Sequence, residues 1–150
     1  MSLNEEVELL RNIPLFAKLE PSKLKLLAFT SERITYEAGQ VLFRQGDVGD
    51  AAYIIVDGSA KVLVETGEGE IEVATLGRND LVGEIAILCD VPRTATVRAS
   101  GQTVTLRITK DLFFRLVAEF PQMSVEIMRE LASRLEKTTQ QLREALAQKT

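Results

Sequence analysis

The stretch LVGEIAILCDVPRTATVRA, Leu81 to Ala99, changes its grammar twice. An apolar pair leads to Gly83, and EIAIL is then long enough for about one turn of helix. After Pro92 small and apolar residues alternate with polar ones. Read with the period of two that a strand imposes, Arg93, Ala95, Val97 and Ala99 share one face, while Thr94, Thr96 and Arg98 share the other. Arg93 thus heads the apolar, inward face. Glu84 interrupts the apolar run before it. An unpaired guanidinium held in an apolar interior is costly, so Arg93 requires an anion or a route to water.

The preceding segment offers a place for that anion. Gly83 permits an unusual backbone turn, and the helical turn after it presents unsatisfied N–H groups, from residues such as Ile85 and Ala86, at the positive end of the helix dipole. Such a terminus accepts phosphate, and Arg93 adds a bidentate, charge-assisted contact to the same group. Small residues at Gly83, Ala86 and Ala95 let a ligand approach the backbone. Glu84 is repelled by phosphate, but its carboxylate accepts well from a hydroxyl a few ångströms away, as on an attached sugar. The spacing therefore fits a sugar phosphate or nucleotide read at its two ends by Arg93 and Glu84. It fits equally well a pair in which Glu84 and Arg93 neutralise each other, or an arginine at a loop edge in water, with Gly83 an ordinary turn residue.

Outward from this stretch, the segment from Arg33 to about Arg107 is rich in β-branched residues and holds all nine glycines of the chain. Short strands separated by glycine turns predict a mainly β unit of the sandwich or jelly-roll kind. AAYIIVDGSAKVLVET, Ala51 to Thr66, reads as a hairpin about Asp57 and Gly58, with Ala60, Val62 and Val64 alternating with Lys61, Leu63 and Glu65. A second turn, Thr66 to Glu70, leads into IEVATL.

Both flanks read as helical. Val7, Leu10, Leu24, Leu26 and Leu27 recur at helical spacing, with Pro14 and Pro21 as punctuation and Pro21 suited to begin a helix. At the other end Thr109 is placed to cap a helix beginning near Asp111, and Pro121 starts another that runs almost to the end. In it Met128, Leu131, Leu135, Thr138, Leu142 and Ala145 form a narrow seam at alternating spacings of three and four. Such a seam suits a second copy of the helix in a homodimer, or the sheet of its own chain.

Composition removes several classes. The 150 residues suffice for one domain with an unaided core, and no apolar run approaches a membrane span. The acidic start MSLNEEVELL is unlike a secretory signal, so a cytoplasmic location is expected. A single cysteine, Cys89, and no histidine leave no zinc, iron–sulfur or haem ligand set and little scope for a metal-dependent catalytic roll. A formal net charge of −4 argues against a phosphate-backbone partner.

LVGEIAILCDVPRTATVRA closely resembles the phosphate-binding cassette of cyclic-nucleotide-binding domains, as found in catabolite activator regulators, kinase regulatory subunits and nucleotide-gated channels. YEAGQVLFRQGDVGDAAYIIVDGSAKVLV matches the family's earlier strands, with glycines at Gly39, Gly46 and Gly58, and the flanking helices extend the likeness over nearly the whole chain. The resemblance implies an eight-stranded β-roll, a double-stranded β-helix of jelly-roll type, with N-terminal helices and a long C-terminal helix. It implies a single domain over 1–150, with the roll and adjoining helices at 13–120 and the terminal helix at 121–148 transmitting the signal or dimerising. By resemblance Gly83, Ile85 and Ala86 line a cyclic phosphate, Glu84 accepts from the ribose 2′-hydroxyl, Arg93 pairs with the phosphate, and Thr94 and Ala95 complete the rim.

The implied function is a non-enzymatic sensor that needs no cofactor and whose ligand is cyclic AMP, in preference to cyclic GMP, with Thr94 placed where base choice is made. The chain is not expected to read DNA, having no helix-turn-helix, and its output partner is not named by its residues. The alternative is a ligand-independent dimerisation module. Two departures from the family stand out. Asn79 replaces a more usual glycine and is expected to keep the turn, since asparagine tolerates a left-handed backbone. Val82, where an aromatic or glycine is more common, is expected to loosen the coupling between cassette and helices.

Overall fold

Prolines fix where two of the helices begin. Pro21 is the first residue of α2 (Pro21–Thr30), where its missing N–H costs nothing, and Pro121 opens α5 (Pro121–Gln148). The computed structural model of the chain describes residues 3–13 and 16–148, so Pro14 lies outside the described residues. Before α2 comes α1 (Leu3–Arg11); its Val7 and Leu10 are buried, as are Leu24 and Leu27 of α2. Leu26 departs from expectation: it is 47% exposed, because helical spacing puts it on the far side of α2 from that pair.

Eight strands follow: β1 (Glu32–Tyr36), β2 (Val41–Phe43), β3 (Ala51–Asp57), β4 (Ala60–Thr66), β5 (Gly69–Leu76), β6 (Leu81–Val82), β7 (Thr96–Ala99) and β8 (Thr103–Thr109), with a short helix α3 (Glu84–Cys89) between β6 and β7. They form two four-stranded antiparallel sheets, ordered β1-β8-β3-β6 and β2-β7-β4-β5. The expected β-roll is therefore present. Leu42, Ala51, Tyr53, Ile55, Ala60, Val82, Val97 and Ala99, drawn from both sheets, form its inner core, with Tyr36, Phe43, Val62 and Leu76 packed against it.

The hairpin expected across Ala51 to Thr66 is not one. β3 lies between β8 and β6 in one sheet, whereas β4 lies between β7 and β5 in the other. Asp57 to Ser59 is a corner that passes the chain between sheets. Gly58, at φ 93°, is needed there because a Cβ would stand 2.5 Å from the Gln102 carbonyl oxygen. The simple alternation expected for β4 also fails. The β4–β5 register slips between Val62 and Leu63, and Leu63 is buried while Val62 and Val64 are only half-buried. The second expected turn does close a hairpin, pairing Thr66 with Gly69.

A third correction concerns the run after Pro92. Regular strand begins only at Thr96; Thr94 and Ala95 form a bend before it, and Arg93 lies in irregular chain ahead of that bend. Thr96, assigned by period two to the outer face, is buried, because its hydroxyl accepts from the Gln45 N–H at 2.9 Å.

Among the described residues the chain divides into two compact units, the first ending at Phe114 and the second beginning at Arg115. α4 (Lys110–Glu119) is capped as expected: the Leu112 N–H donates to the Thr109 hydroxyl at 3.3 Å. In α5, Met123 and Ile127 are buried, whereas Met128, Leu135 and Leu142 of the seam are 59%, 68% and 58% exposed. No helix among the described residues is long and apolar enough to cross a membrane.

Candidate functional site

β6 delivers the chain to Gly83, whose φ of 89° turns it into α3. A side chain at this point would be strained, and its Cβ would stand 2.7 Å from Arg93 Nη1. Glu84 is the first residue of α3 and only 2% exposed. Ala86 is buried against the β2–β3 loop, so closely that a Cβ on Gly49 would meet the Ala86 Cβ at 2.5 Å. α3 ends at Asp90, which is left-handed at φ 53° and returns its N–H to the Ala86 carbonyl.

The same loop holds Arg93 by its backbone. The Arg93 N–H donates to Asp47 O, and the Gly46 N–H donates to Arg93 O, both at 2.8 Å. Asp47 fixes the loop in turn by accepting the Arg44 N–H at 3.1 Å. Thus clamped, the side chain points inward and is 3% exposed, which excludes an arginine at a loop edge in water. Its Nη1 donates to Gly83 O at 2.7 Å and its Nη2 to Ala51 O at 2.6 Å, and its guanidinium lies 4.0 Å from the centre of the Phe43 ring. Two carbonyl dipoles and a π face thus stabilise the cation at close range, in addition to the carboxylates around it.

Burial lowers the Arg93 pKa from its usual value, and the opposing effects of Tyr53, Asp50, Asp47 and Glu84 do not fully restore it. Its Nε is buried with no hydrogen-bond partner among the described residues. An arginine has five N–H donors, so two carbonyl bonds leave it able to receive an anion. Asp50 forms an ion pair with Arg93, its Oδ1 lying 3.8 Å from Nη2.

Of the expected site residues, the fold brings Gly83, Glu84, Ala86 and Arg93 together. Ile85 is 38% exposed on the outer side of α3; Thr94 is exposed and Ala95 half-buried on the bend beside Arg93. Sequence reading missed Phe43, Asp50, Ala51 and Arg107, which surround the guanidinium or its neighbour Asp50. The nearest signal was the FRQGDVGD segment, where two glycines crowd an aromatic and two acids. Asn79 adopts φ 72°, the left-handed turn expected of it, and Val82 is buried in the inner core. No grouping of histidine, cysteine, aspartate or glutamate among the described residues could hold a metal ion.

A β-roll in which a left-handed glycine starts a short helix beside a buried arginine defines a class: small rolls built around a glycine–helix–arginine cassette. The family model described as the cyclic nucleotide-binding domain matches residues 33–120, and the chain belongs to that family. It is 40% identical over 110 residues to a cAMP-dependent protein kinase regulatory subunit of Blastocladiella emersonii, covering 72% of this chain and 27% of that one. The catabolite activator protein of Thermus thermophilus matches at 29% identity and TM-score 0.77, over 86% of this chain and 61% of that one. The sensor domain of the transcriptional regulator DNR from Pseudomonas aeruginosa shares the fold, with TM-score 0.80 at 24% identity over 90% of this chain and 91% of that one. The chain thus spans about a quarter of the first of these relatives.

Proposed function

We propose that this chain is a cyclic-nucleotide sensor, regulatory rather than catalytic, that binds cyclic AMP in preference to cyclic GMP. The observation that carries this reading is Arg93, buried at 3% exposure and held by two backbone carbonyls beside the N-terminal turn of α3. A cyclic phosphate carries one negative charge and presents two free oxygens. One oxygen accepts from the N–H groups at the start of α3 and the other from the guanidinium. Glu84, at the first position of that helix, accepts from the ribose 2′-hydroxyl. Gly83, Ile85 and Ala86 contribute backbone to the phosphate cradle, and Thr94 and Ala95 form the rim facing the base.

The preference for cyclic AMP is supported by the kinase regulatory subunit related to this chain, whose name states dependence on cAMP. The whole chain acts as one domain, with α5 passing ligand occupancy onward. The exposed Met128, Leu135 and Leu142 along α5 favour a contact between two copies of that helix. A ligand-independent dimerisation module would share this seam but would have no use for a buried arginine left partly unneutralised.

The reading is tested by following backbone amides by NMR as cyclic AMP or cyclic GMP is added. Shifts concentrated at Gly83 to Ala86 and Arg93 to Ala95 are expected. Spectra unchanged by both nucleotides would exclude the sensor.

A further inference from the structure

Asp50 stands between two arginines. Its Oδ2 accepts from Arg107 Nη2 at 3.0 Å, while its Oδ1 forms an ion pair with Arg93 Nη2 at 3.8 Å that is too long for a hydrogen bond. The backbone beneath it is fixed on both sides: Lys110 N–H donates to Asp50 O at 2.9 Å, and Ala51 O accepts from Arg93 itself. Only rotation of its own side chain decides which arginine the carboxylate serves. Arg107 is anchored independently on β8. It faces Tyr53 of β3 and Glu32 of β1 in register, and its guanidinium lies 3.8 Å from Glu32 Oε2. Although burial lowers the Arg107 pKa, hydrogen bonding to Tyr53 and the Asp50 carboxylate more than compensate, so this cation is the better partnered of the two.

We infer that Arg107 is a positioning residue: it keeps the Asp50 carboxylate from closing its long ion pair with Arg93 into a hydrogen bond, and so keeps that guanidinium available to an anionic ligand. The inference rests on the reading of Arg93 as the anion receptor. A carboxylate closing on Nη2 would compete with a phosphate oxygen for the same cation. Asp50 is 65% exposed at its side chain, so that closure would be partly screened by water. Its effect is that of a partly screened ion pair, about three- to fivefold in affinity.

The test pairs Arg107→Met with Asp50→Asn. In Arg107→Met, cyclic AMP affinity is expected to fall about three- to fivefold at low salt, and the loss to shrink as salt screens the shortened pair. Adding Asp50→Asn should bring the double variant to the affinity of Asp50→Asn alone. A loss that persists in the double variant, or no loss, overturns the inference. A readout without nucleotide separates this from the proposed function: the Arg93 Nε–H resonance should shift in Arg107→Met and revert with Asp50→Asn, and an unmoved resonance overturns the inference. If the wild-type chain bound neither nucleotide, the proposed function would fall and the resonance alone would decide the positioning. Arg107→Lys is the milder variant if the methionine form does not fold, with a smaller shift of the same sense and the same reversal.

Discussion

Replacing Gly83 by alanine tests the link between the turn and the arginine. The backbone there sits at φ 89°, where a residue with a Cβ loses about 1–2 kcal/mol relative to glycine. The new methyl would also stand 2.7 Å from Arg93 Nη1, 3.3 Å from Phe43 Cε2 and 3.4 Å from Ala51 O. Arg93 is buried and pinned at its backbone by Gly46 and Asp47, so relief requires the guanidinium to leave at least one carbonyl. A hydrogen bond to a charged group contributes about 1.5–3 kcal/mol, which brings the expected destabilisation to about 2.5–5 kcal/mol. Gly69→Ala is the internal control, because Gly69 also has positive φ, 110°, but no atom within 4 Å of its would-be Cβ. It should lose only the backbone part, about 1–2 kcal/mol. In urea denaturation, with a slope of about 2 kcal/mol/M, the Gly83 midpoint should fall by about 1.3–2.5 M, against about 0.5–1 M for the control, and nucleotide affinity should drop only in the Gly83 variant. Equal losses in the two variants, or an intact nucleotide affinity in Gly83→Ala, would refute the reasoning.

Three further outcomes follow from the same geometry. Gly49→Ala pushes a methyl to 2.5 Å from the Ala86 Cβ and 3.3 Å from the Ala86 carbonyl carbon, so it should cost about 1–3 kcal/mol in a thermal melt and weaken nucleotide binding by shifting α3; an unchanged melting temperature would contradict the packing described. Tyr36 is pushed up to about 12, first by burial and then by the charge and hydrogen bonding of Tyr53, so folding favours its neutral phenol. That contribution is fully present below the unfolded value near pH 10 and is lost as pH rises towards 12; ultraviolet titration should show the Tyr36 phenol ionising late, and a midpoint near 10 would remove the effect. Leu135→Glu places a charge in the exposed seam of α5, and sedimentation should show the proposed pairing of two copies, present in wild type, abolished; a wild type without self-association or an unaltered distribution would remove the seam as a contact.

The sequence spoke most clearly where a local rule sufficed. Glycines and β-branched residues marked the roll, prolines marked the starts of α2 and α5, and Thr109 marked a cap, because each acts on its own backbone or on residues a few positions away. Strand partners were not legible. β3 and β4 join through a turn that looks like a hairpin, and only the competition of β8 and β6 for the edges of β3 sends them into different sheets. The inward direction of Arg93 was anticipated, but on the wrong ground: the residue lies in irregular chain ahead of the strand, and the loop clamp from Gly46 and Asp47 turns it inward rather than the alternation of a strand. Its partners Phe43, Asp50 and Ala51 lie more than forty positions away, as with the bond of separation 42 to Ala51, and no periodicity connects them. The cassette residues were recoverable because they are contiguous; the groups that position the arginine were not.

The central claim, that Arg93 binds the phosphate of a cyclic nucleotide, is tested most directly by titration calorimetry of cyclic AMP and cyclic GMP against wild type, Arg93→Ala and Arg93→Lys. Losing the charge-assisted contact of a buried guanidinium, about 3 kcal/mol, corresponds to an affinity drop of about 100-fold or more. The lysine variant, which keeps the charge but not the planar fork, should fall between the other two. Saturable heat with wild type that is lost in Arg93→Ala is the predicted result. The same affinity in wild type and Arg93→Ala, or no heat from either nucleotide with wild type, would contradict it.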